Sequence, residues 1–408
     1  MLVTEMRKRI CSLTAATVLA LSTFAANIGT DRTWYLAGEA MTVSVKAGEA
    51  TIAYVELCDT HGLMAGTKVR LKEGAGTGLV ELPADLHSGY YALSVYTRNA
   101  ATAYRRLVAV VNPLRKSKDD DIRWMPADSC WAEGEGTAEQ TIVKAADLGE
   151  TEGHIIKARV SNRYGSHTFS ASQIRPSLSI IGKEIHYFEG KMVNDSLAVF
   201  FTYGVYGRQP LVLSATTATG EHLPVEMVSP FAALLPKSLP HMVFHYKRSE
   251  VEARSLDMQR RQMAMADSGA VAPTDYCETA FGTKPNLSYN LDEYRQFLTV
   301  REVILEYVRC VRHTKVNGVP RLIVRKEDEA FDSLLPTLVL IDGMPVTDVE
   351  RLLSYDARRV HHINIYGGQY TFGHGVYNGI LSFVTRSGQL TNYPTEPNMQ
   401  YLIYEFPK

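Results

Sequence analysis

The chain has 408 residues, is 45% hydrophobic and 21% charged, and carries a formal net charge of -1. A chain of this length can bury sizeable cores in domains of ~100–200 residues each. The near-zero charge excludes a global field that would recruit nucleic acid or an anionic membrane surface.

Residues 1–26 read as a secretory signal peptide. A basic run, "MRKRI" at 6–10, precedes an apolar stretch, "CSLTAATVLALSTFAA" at 11–26, that ends in small residues. Thr23 and Ala25 satisfy the small-x-small cleavage rule, and a cut after Ala26 is the alternative. A short membrane anchor competes with this reading. Against it stand the interspersed Ser and Thr and a length below the ~20 apolar residues of a span. Cys11 precedes the apolar core and does not fit lipid attachment. No later segment is apolar enough to span a bilayer. Cys58, Cys130, Cys277 and Cys310 remain after cleavage. Without a C-x-x-C, their spacing fits neither a zinc site nor a thioredoxin-like pair. Isolated thiols and disulfides both stay open.

Residues 27–113 read as an antiparallel β-sandwich. Met41, Val43 and Val45 alternate with Thr42, Ser44 and Lys46, while "TIAYVELCD" (51–59), "YYALSVYT" (90–97) and "RRLVAVVNP" (105–113) are further strands. "KAGEA", "EGAGTG" and "LHSG" are the turns between them. Residues 114–150, opening with the charged "RKSKDDDIRW", are expected as a linker. A second β-sandwich is expected over 151–235, from strands such as "HIIKARVSN", "SLSIIGKEIHYF", "LAVFFTYG" and "PLVLSATT". Residues 236–284 read as a helical and irregular linker, its helix capped by Ser249.

Residues 285–390 alternate helices with short strands, which gives a mixed α/β unit. Thr299 and Glu302 form a capping box for a helix whose stripe is Val300, Val303, Ile304, Tyr307 and Val308. "RLIVRK" and "TLVLIDG" are strands, a helix capped by Thr347 follows, and "VHHINIYGG" and "GILSFVTRSG" complete the unit. Residues 391–408 form a tail. The fold class is therefore multidomain, mainly β plus α+β.

The stretch "LVLIDGMPV", followed by "VHHINIYGGQYTFGHGVYNGILSFVTRSG", resembles the plug domain of TonB-dependent outer-membrane receptors. The shared parts are the strand ending in Asp342, Gly343 and Pro345, the Tyr366-Gly367 turn, Gly379 at the start of a strand, and Thr385 to Gly388 at its end. "LSYNLDEYRQFLTVREVILEYV" (287–308) is similar to the segment before this unit in large exported Bacteroidetes proteins. In those proteins a macroglobulin-type (MG2-like) sandwich comes first. "DRTWYLAGEAMTVSV" and "LHSGYYALSVYTRN" resemble that sandwich, and "GHIIKARVSN" resembles the opening of a carboxypeptidase-regulatory-like module. The resemblance implies an Ig-like sandwich, a second sandwich and a plug-like domain. Twenty residues follow Gly388, too few for the barrel of about 22 strands that a transporter needs.

Candidate chemistry is sparse. Asp342, at the end of a buried strand, reads either as a carboxylate presented for catalysis or as a turn residue, with Gly343 permitting positive φ. His361 and His362 point to opposite strand faces, so a metal would need one of them with His374. Ala138 stands where a thioester before Glu139-Gln140 would need cysteine. The Gly-rich "YGGQYTFGHG" leads into a strand and lacks lysine, unlike a phosphate cradle. Its aromatics Tyr370, Phe372 and Tyr377 are a candidate contact surface, and inward packing is the alternative. Two "DSL" tripeptides make Ser196 and Ser333 candidate O-glycosylation sites by resemblance to Bacteroidetes exported proteins.

The expectation is a non-enzymatic cell-envelope protein, periplasmic or associated with the outer membrane. It would have no cofactor, no metal and no transmembrane span after cleavage, and it would contact a protein partner such as an outer-membrane transporter. The alternatives are an envelope-polymer hydrolase with its site near Asp342, or a degraded receptor remnant.

Overall fold

The computed structural model describes residues 27–408 except 49, 100–101, 135–137, 143–148, 151–152, 182–184, 218–219, 269–280, 282, 317, 326–334, 389, 391–392 and 394–397. The expected signal peptide, Cys277 and Ser333 lie outside the described residues. Two compact units are present: residues up to Thr151 together with Ala233–Ser255, and Glu152–Ala232 together with Leu256–Lys408.

In the first unit two sheets face each other. One holds Asn27–Thr30, Ala40–Lys46 and Ala75–Glu81; the other holds Leu63–Arg70, Ile52–Cys58, Gly89–Tyr96, Thr102–Val111 and Ala138–Ile142, with Trp34–Leu36 added parallel to Thr102–Val111. The alternation expected of Met41, Val43 and Val45 is realised: these three meet Val55, Leu57, Tyr91, Leu93 and Val108 in one core. "EGAGTG" is a turn only at Glu73-Gly74, because Ala75–Glu81 is a strand. A Cβ on Gly76 would collide with the Arg70 carbonyl, and one on Gly78 with the Val69 side chain. These glycines serve close approach inside a sheet rather than a bend.

Two segments expected as linkers pair with each other. Ile122–Pro126 runs parallel to Met242–Tyr246, and Trp131–Ala132 runs antiparallel to it. The pairing joins segments remote in sequence, so no local pattern announces it. Phe244 packs edge-on against Trp34 at 5.1 Å and Trp124 at 5.7 Å. Helix α1 (Arg248–Ser268) starts one residue before its expected cap Ser249. Its Arg254 forks onto both Glu39 carboxylate oxygens (2.8 and 2.7 Å) and lies 3.9 Å over the Trp34 ring.

In the second unit a sandwich forms from two four-stranded sheets. One orders Lys191–Asn194, Leu197–Thr202, His154–Val160 and Val225–Met227; the other orders His186–Glu189, Ile174–Ile180, Gly207–Thr217 and Gln400–Phe406. Ile156, Ala158, Phe200, Leu178, Leu213 and Phe406 share its core. The expected tail thus supplies a strand: Tyr404 and Phe406 are buried and Glu405 exposed, the alternation of a half-buried strand. His154 Nε2 lies 2.7 Å from the Tyr404 hydroxyl, and both side chains are buried.

The rest of this unit is a five-stranded mixed sheet, ordered Leu287–Asn290, Val360–Phe372, Gly375–Thr385, Leu338–Ile341 and Met344–Pro345. Helices α2 (Val300–Glu306) and α3 (Val349–Leu353) share a core with Ile363, Ile365, Leu381 and Phe383. The Thr299–Glu302 capping box is present on α2. The cap of α3 is Asp348, which accepts from the Arg351 N–H, rather than Thr347. A hairpin of Val311–Val316 and Val319–Val324 completes the module. The protein is multidomain and mainly β, built around β-sandwiches. Among the described residues no helix is long and apolar enough to cross a membrane, and no disulfide joins Cys58, Cys130 and Cys310 to one another.

Candidate functional site

Asp342 closes the strand Leu338–Ile341, and it is 2% exposed with φ of 48°. Its Oδ1 accepts from the Thr385 N–H at 2.7 Å. Its Oδ2 accepts from the Thr385 hydroxyl at 2.5 Å and from the Leu390 N–H at 2.7 Å. Burial pushes the Asp342 carboxyl above the usual carboxylate range, and the three donors oppose that rise in part. None of these donors belongs to the turn itself. The carboxylate clamps the end of the strand Gly375–Thr385 and the segment after it.

Gly343 follows with φ of 90°, where a Cβ would meet the Ile180 carbonyl oxygen at 2.8 Å and the Ile185 side chain at 3.1 Å. The Asp-Gly turn is therefore a joint: one residue holds the mixed sheet and the next abuts the sandwich. Pro345 is buried and pairs with Leu340. Tyr366 is fully buried, and the Gly367 N–H donates to Asn286 Oδ1 at 2.6 Å. Gly379 (φ 80°) and Gly388 (φ 63°) occupy the left-handed region. The seven motif residues are thus structural elements of one module.

The three aromatics proposed as a contact surface pack inward. Tyr377 is 8% exposed; its hydroxyl bonds Glu189 and lies 3.1 Å from that of Tyr187. Phe372 meets Tyr187 edge-on at 5.8 Å, and Tyr370 stacks beside Phe372. Burial pushes Tyr187 up to about 12 and raises Tyr377 further. A Cβ on Gly373 or Gly375 would collide with Glu189, so these glycines let the hairpin tip settle on the edge strand His186–Glu189. Alternating aromatics in a Gly-rich loop look exposed in sequence. The covering strand lies far upstream in the chain.

The histidines are not assembled with Asp342. His361 Nε2 lies 3.4 Å from Asp292, and burial lowers His362. His374 is exposed at the hairpin tip. Among the described residues no group of three or more His, Cys, Asp and Glu is placed to hold a metal ion. Ser196 is exposed in the turn before Leu197–Thr202.

Beside the joint is a cleft of about 500 Å³ between the sandwich and the mixed-sheet module. Its sandwich wall carries Arg175, Ser177, Ser214 and Glu189; the opposite wall carries Thr314 and Arg321. Ser177 and Ser214 sit opposite each other on paired strands, with their hydroxyls 2.7 Å apart. Among the described residues the cleft's charged lining is two guanidinium groups and one carboxylate. Sequence reasoning missed this site. The signal it left is small polar residues inside the apolar stretches of two strands, Ser177 and Ser214, with Arg175 two positions before Ser177.

No protein-family model matches the chain, and no curated protein matches it. Solved structures with partial similarity include the BSP domain of a biofilm-associated protein, at 11% identity and a TM-score of 0.18 over 54% of this chain and 30% of that one. The native conformation of E. coli alpha-2-macroglobulin aligns at 7% identity and a TM-score of 0.19 over 54% of this chain and 14% of that one. The fibronectin(III)-like modules of Clostridium thermocellum CbhA align at 12% identity and a TM-score of 0.14 over 54% of this chain and 93% of the modules. The chain spans about a third of the length of the first of these or less. None reaches the similarity at which a shared fold follows, so the sandwich architecture rests on this chain's own sheets and cores.

Proposed function

We propose that the chain is a non-catalytic, exported protein of the cell envelope, periplasmic or associated with the outer membrane. Its sandwich modules and C-terminal plug-like module make protein or ligand contacts there, in company with a TonB-dependent transport system. The observation that supports this most is the state of Asp342. The carboxylate best placed by sequence to act as an acid or base is 2% exposed and engaged on both oxygens by Thr385 and Leu390. A general base needs hydrogen-bond reach to a substrate proton, and this one is spent on holding its own module together.

In this reading the N-terminal sandwich is the macroglobulin-type module and the second is carboxypeptidase-regulatory-like. Asp342, Gly343, Pro345, Tyr366, Gly367, Gly379 and Gly388 are the scaffold of the plug-like module. A shared scaffold carries fold, and contacts made elsewhere on it carry function. Fractionation and protease shaving of intact cells, with chemical crosslinking, test the reading. The expected result is an envelope protein lacking residues 1–26 and crosslinked to an outer-membrane barrel. Recovery of an uncleaved chain from the cytosol overturns it.

A further inference from the structure

We infer that the cleft beside the Asp342-Gly343 joint binds a hydroxyl-rich carboxylate of the size of an acidic disaccharide. The inference rests on the reading of the protein as a non-catalytic binder and names the ligand class of that reading. The volume, about 500 Å³, falls within the ~300–1,000 Å³ typical of small-ligand sites. Charge selects the sign of the ligand. Arg175 and Arg321 stand on opposite walls, and neither has an ion-pair partner among the described residues. The single carboxylate of the lining, Glu189, is already engaged by the Tyr377 hydroxyl. The cleft therefore offers two guanidinium forks, which match carboxylates geometrically.

The form of the ligand follows from the sandwich wall. Its strands Ile174–Ile180 and Gly207–Thr217 are paired with each other, and each has a further strand on its outer side. Beyond those strands, the Pro176 carbonyl accepts from the Gly190 N–H at 2.8 Å, and the Thr217 N–H donates to the Glu221 carbonyl at 3.0 Å. Among the described residues, neither of these two central strands leaves a free edge over its paired length for an extended peptide to join. Recognition there must come from side chains. These are the buried Ser177 and Ser214 hydroxyls, each able to donate and accept, on the wall that also carries Arg175. Apolar Pro320, Pro336 and Val346 are also in the lining and suit the C–H faces of a sugar ring. A hydroxylated ring bearing a carboxylate satisfies all three features.

The test is titration calorimetry, with ligand-observed NMR, of the mature chain against digalacturonate, neutral galactobiose and inorganic phosphate. Digalacturonate is expected to bind, galactobiose to bind at least tenfold more weakly, and phosphate not to displace the bound disaccharide at equal concentration. Arg175→Ala and Arg321→Ala should each weaken binding about tenfold, the loss expected for one charge-assisted hydrogen-bonding partner. Arg321→Lys should recover part of it, because charge is kept and the fork is lost. Thermal melting checks that each variant is folded. Ser177→Ala, which removes one lining hydroxyl, should also weaken digalacturonate binding. Equal binding of neutral and acidic sugars, displacement by phosphate, an unchanged affinity in both Arg variants, or no binding at all overturns the inference. Cleavage of digalacturonate during the NMR time course would keep the ligand class and overturn the non-catalytic reading. Cytosolic location overturns that reading without touching the cleft.

Discussion

Two buried carboxylates, one in each unit, do the same work from different starting points. Asp342 ends a strand at a turn and holds Thr385 and Leu390. Glu56 lies in the middle of Ile52–Cys58, a strand buried at every position. Val55 and Leu57 face the sandwich core, so Glu56 faces the other side of the sheet. There it accepts from the Leu234 N–H at 2.9 Å, the Ala233 N–H at 3.2 Å and the Tyr96 hydroxyl. Arg105 completes the clasp by donating to the Leu234 carbonyl at 2.8 Å. Asp342 satisfies N–H groups just past the end of the pairing between Leu338–Ile341 and Gly375–Thr385, Glu56 those of a segment outside any strand, and unpaired buried N–H groups are costly. A carboxylate can thus substitute for a missing strand partner.

The largest effect on this comparison comes from deleting the acids. Asp342→Ala leaves two buried N–H groups without their acceptor and takes one partner from the Thr385 hydroxyl, at about 1–3 kcal/mol for each group that water cannot reach. We expect urea unfolding to show a loss of about 3 kcal/mol or more. Glu56→Ala removes the acceptor of Ala233 and Leu234 and should cost about 2 kcal/mol. Its distinctive readout is limited proteolysis, with new cleavage at residues 229–241 while the sandwich survives. If cleavage stays unchanged, Glu56 does not hold that segment.

A smaller effect separates the side-chain donors from the backbone ones. Thr385→Val removes the hydroxyl from Asp342 and keeps the N–H bond. Tyr96→Phe does the same to Glu56. Each should cost about 0.5–1.5 kcal/mol in denaturant melts, the net contribution of a typical intramolecular hydrogen bond. A cost equal to that of the acid deletion would mean that the hydroxyl, and not the backbone, is the main partner.

The two acids also differ in how legible they were. Asp342 stood out because Asp-Gly after four apolar residues is a local signal, and its turn role was one of two readings. Its donors were half visible, since Thr385 belongs to the same motif and Leu390 to none. Glu56 gave a weaker sign, a charged residue inside "TIAYVELCD", where a sheet with one open face would also place it. Strands with period-two alternation, such as Ala40–Lys46, and the α2 capping box were readable because their causes are local. The parallel pairing of Ile122–Pro126 with Met242–Tyr246, the return of Gln400–Phe406 to the second sandwich, and the cleft were not. Each depends on segments brought together from far apart, and a sequence pattern reports only neighbours.

The smallest predicted effect is one of pH. Burial raises the Asp342 carboxyl above its unfolded value, and the donors offset only part of that rise. Between the unfolded and the folded value, the folded chain therefore holds a proton that the unfolded chain has released. Stability contributed by this group is complete below the unfolded value, falls as pH rises through the folded one, and is level beyond it. Asp342→Asn removes the titration while keeping the size of the side chain. The stability of the native chain minus that of Asp342→Asn should thus decline as pH rises above the ordinary carboxylate value of about 4 and level off once the raised folded value is passed. Paired urea melts across this range measure the difference, and other titrating groups cancel between the two proteins. A difference that grows with pH would reverse the sign. It would mean that the three donors stabilise the carboxylate more than burial penalises it, and that Asp342 is charged throughout.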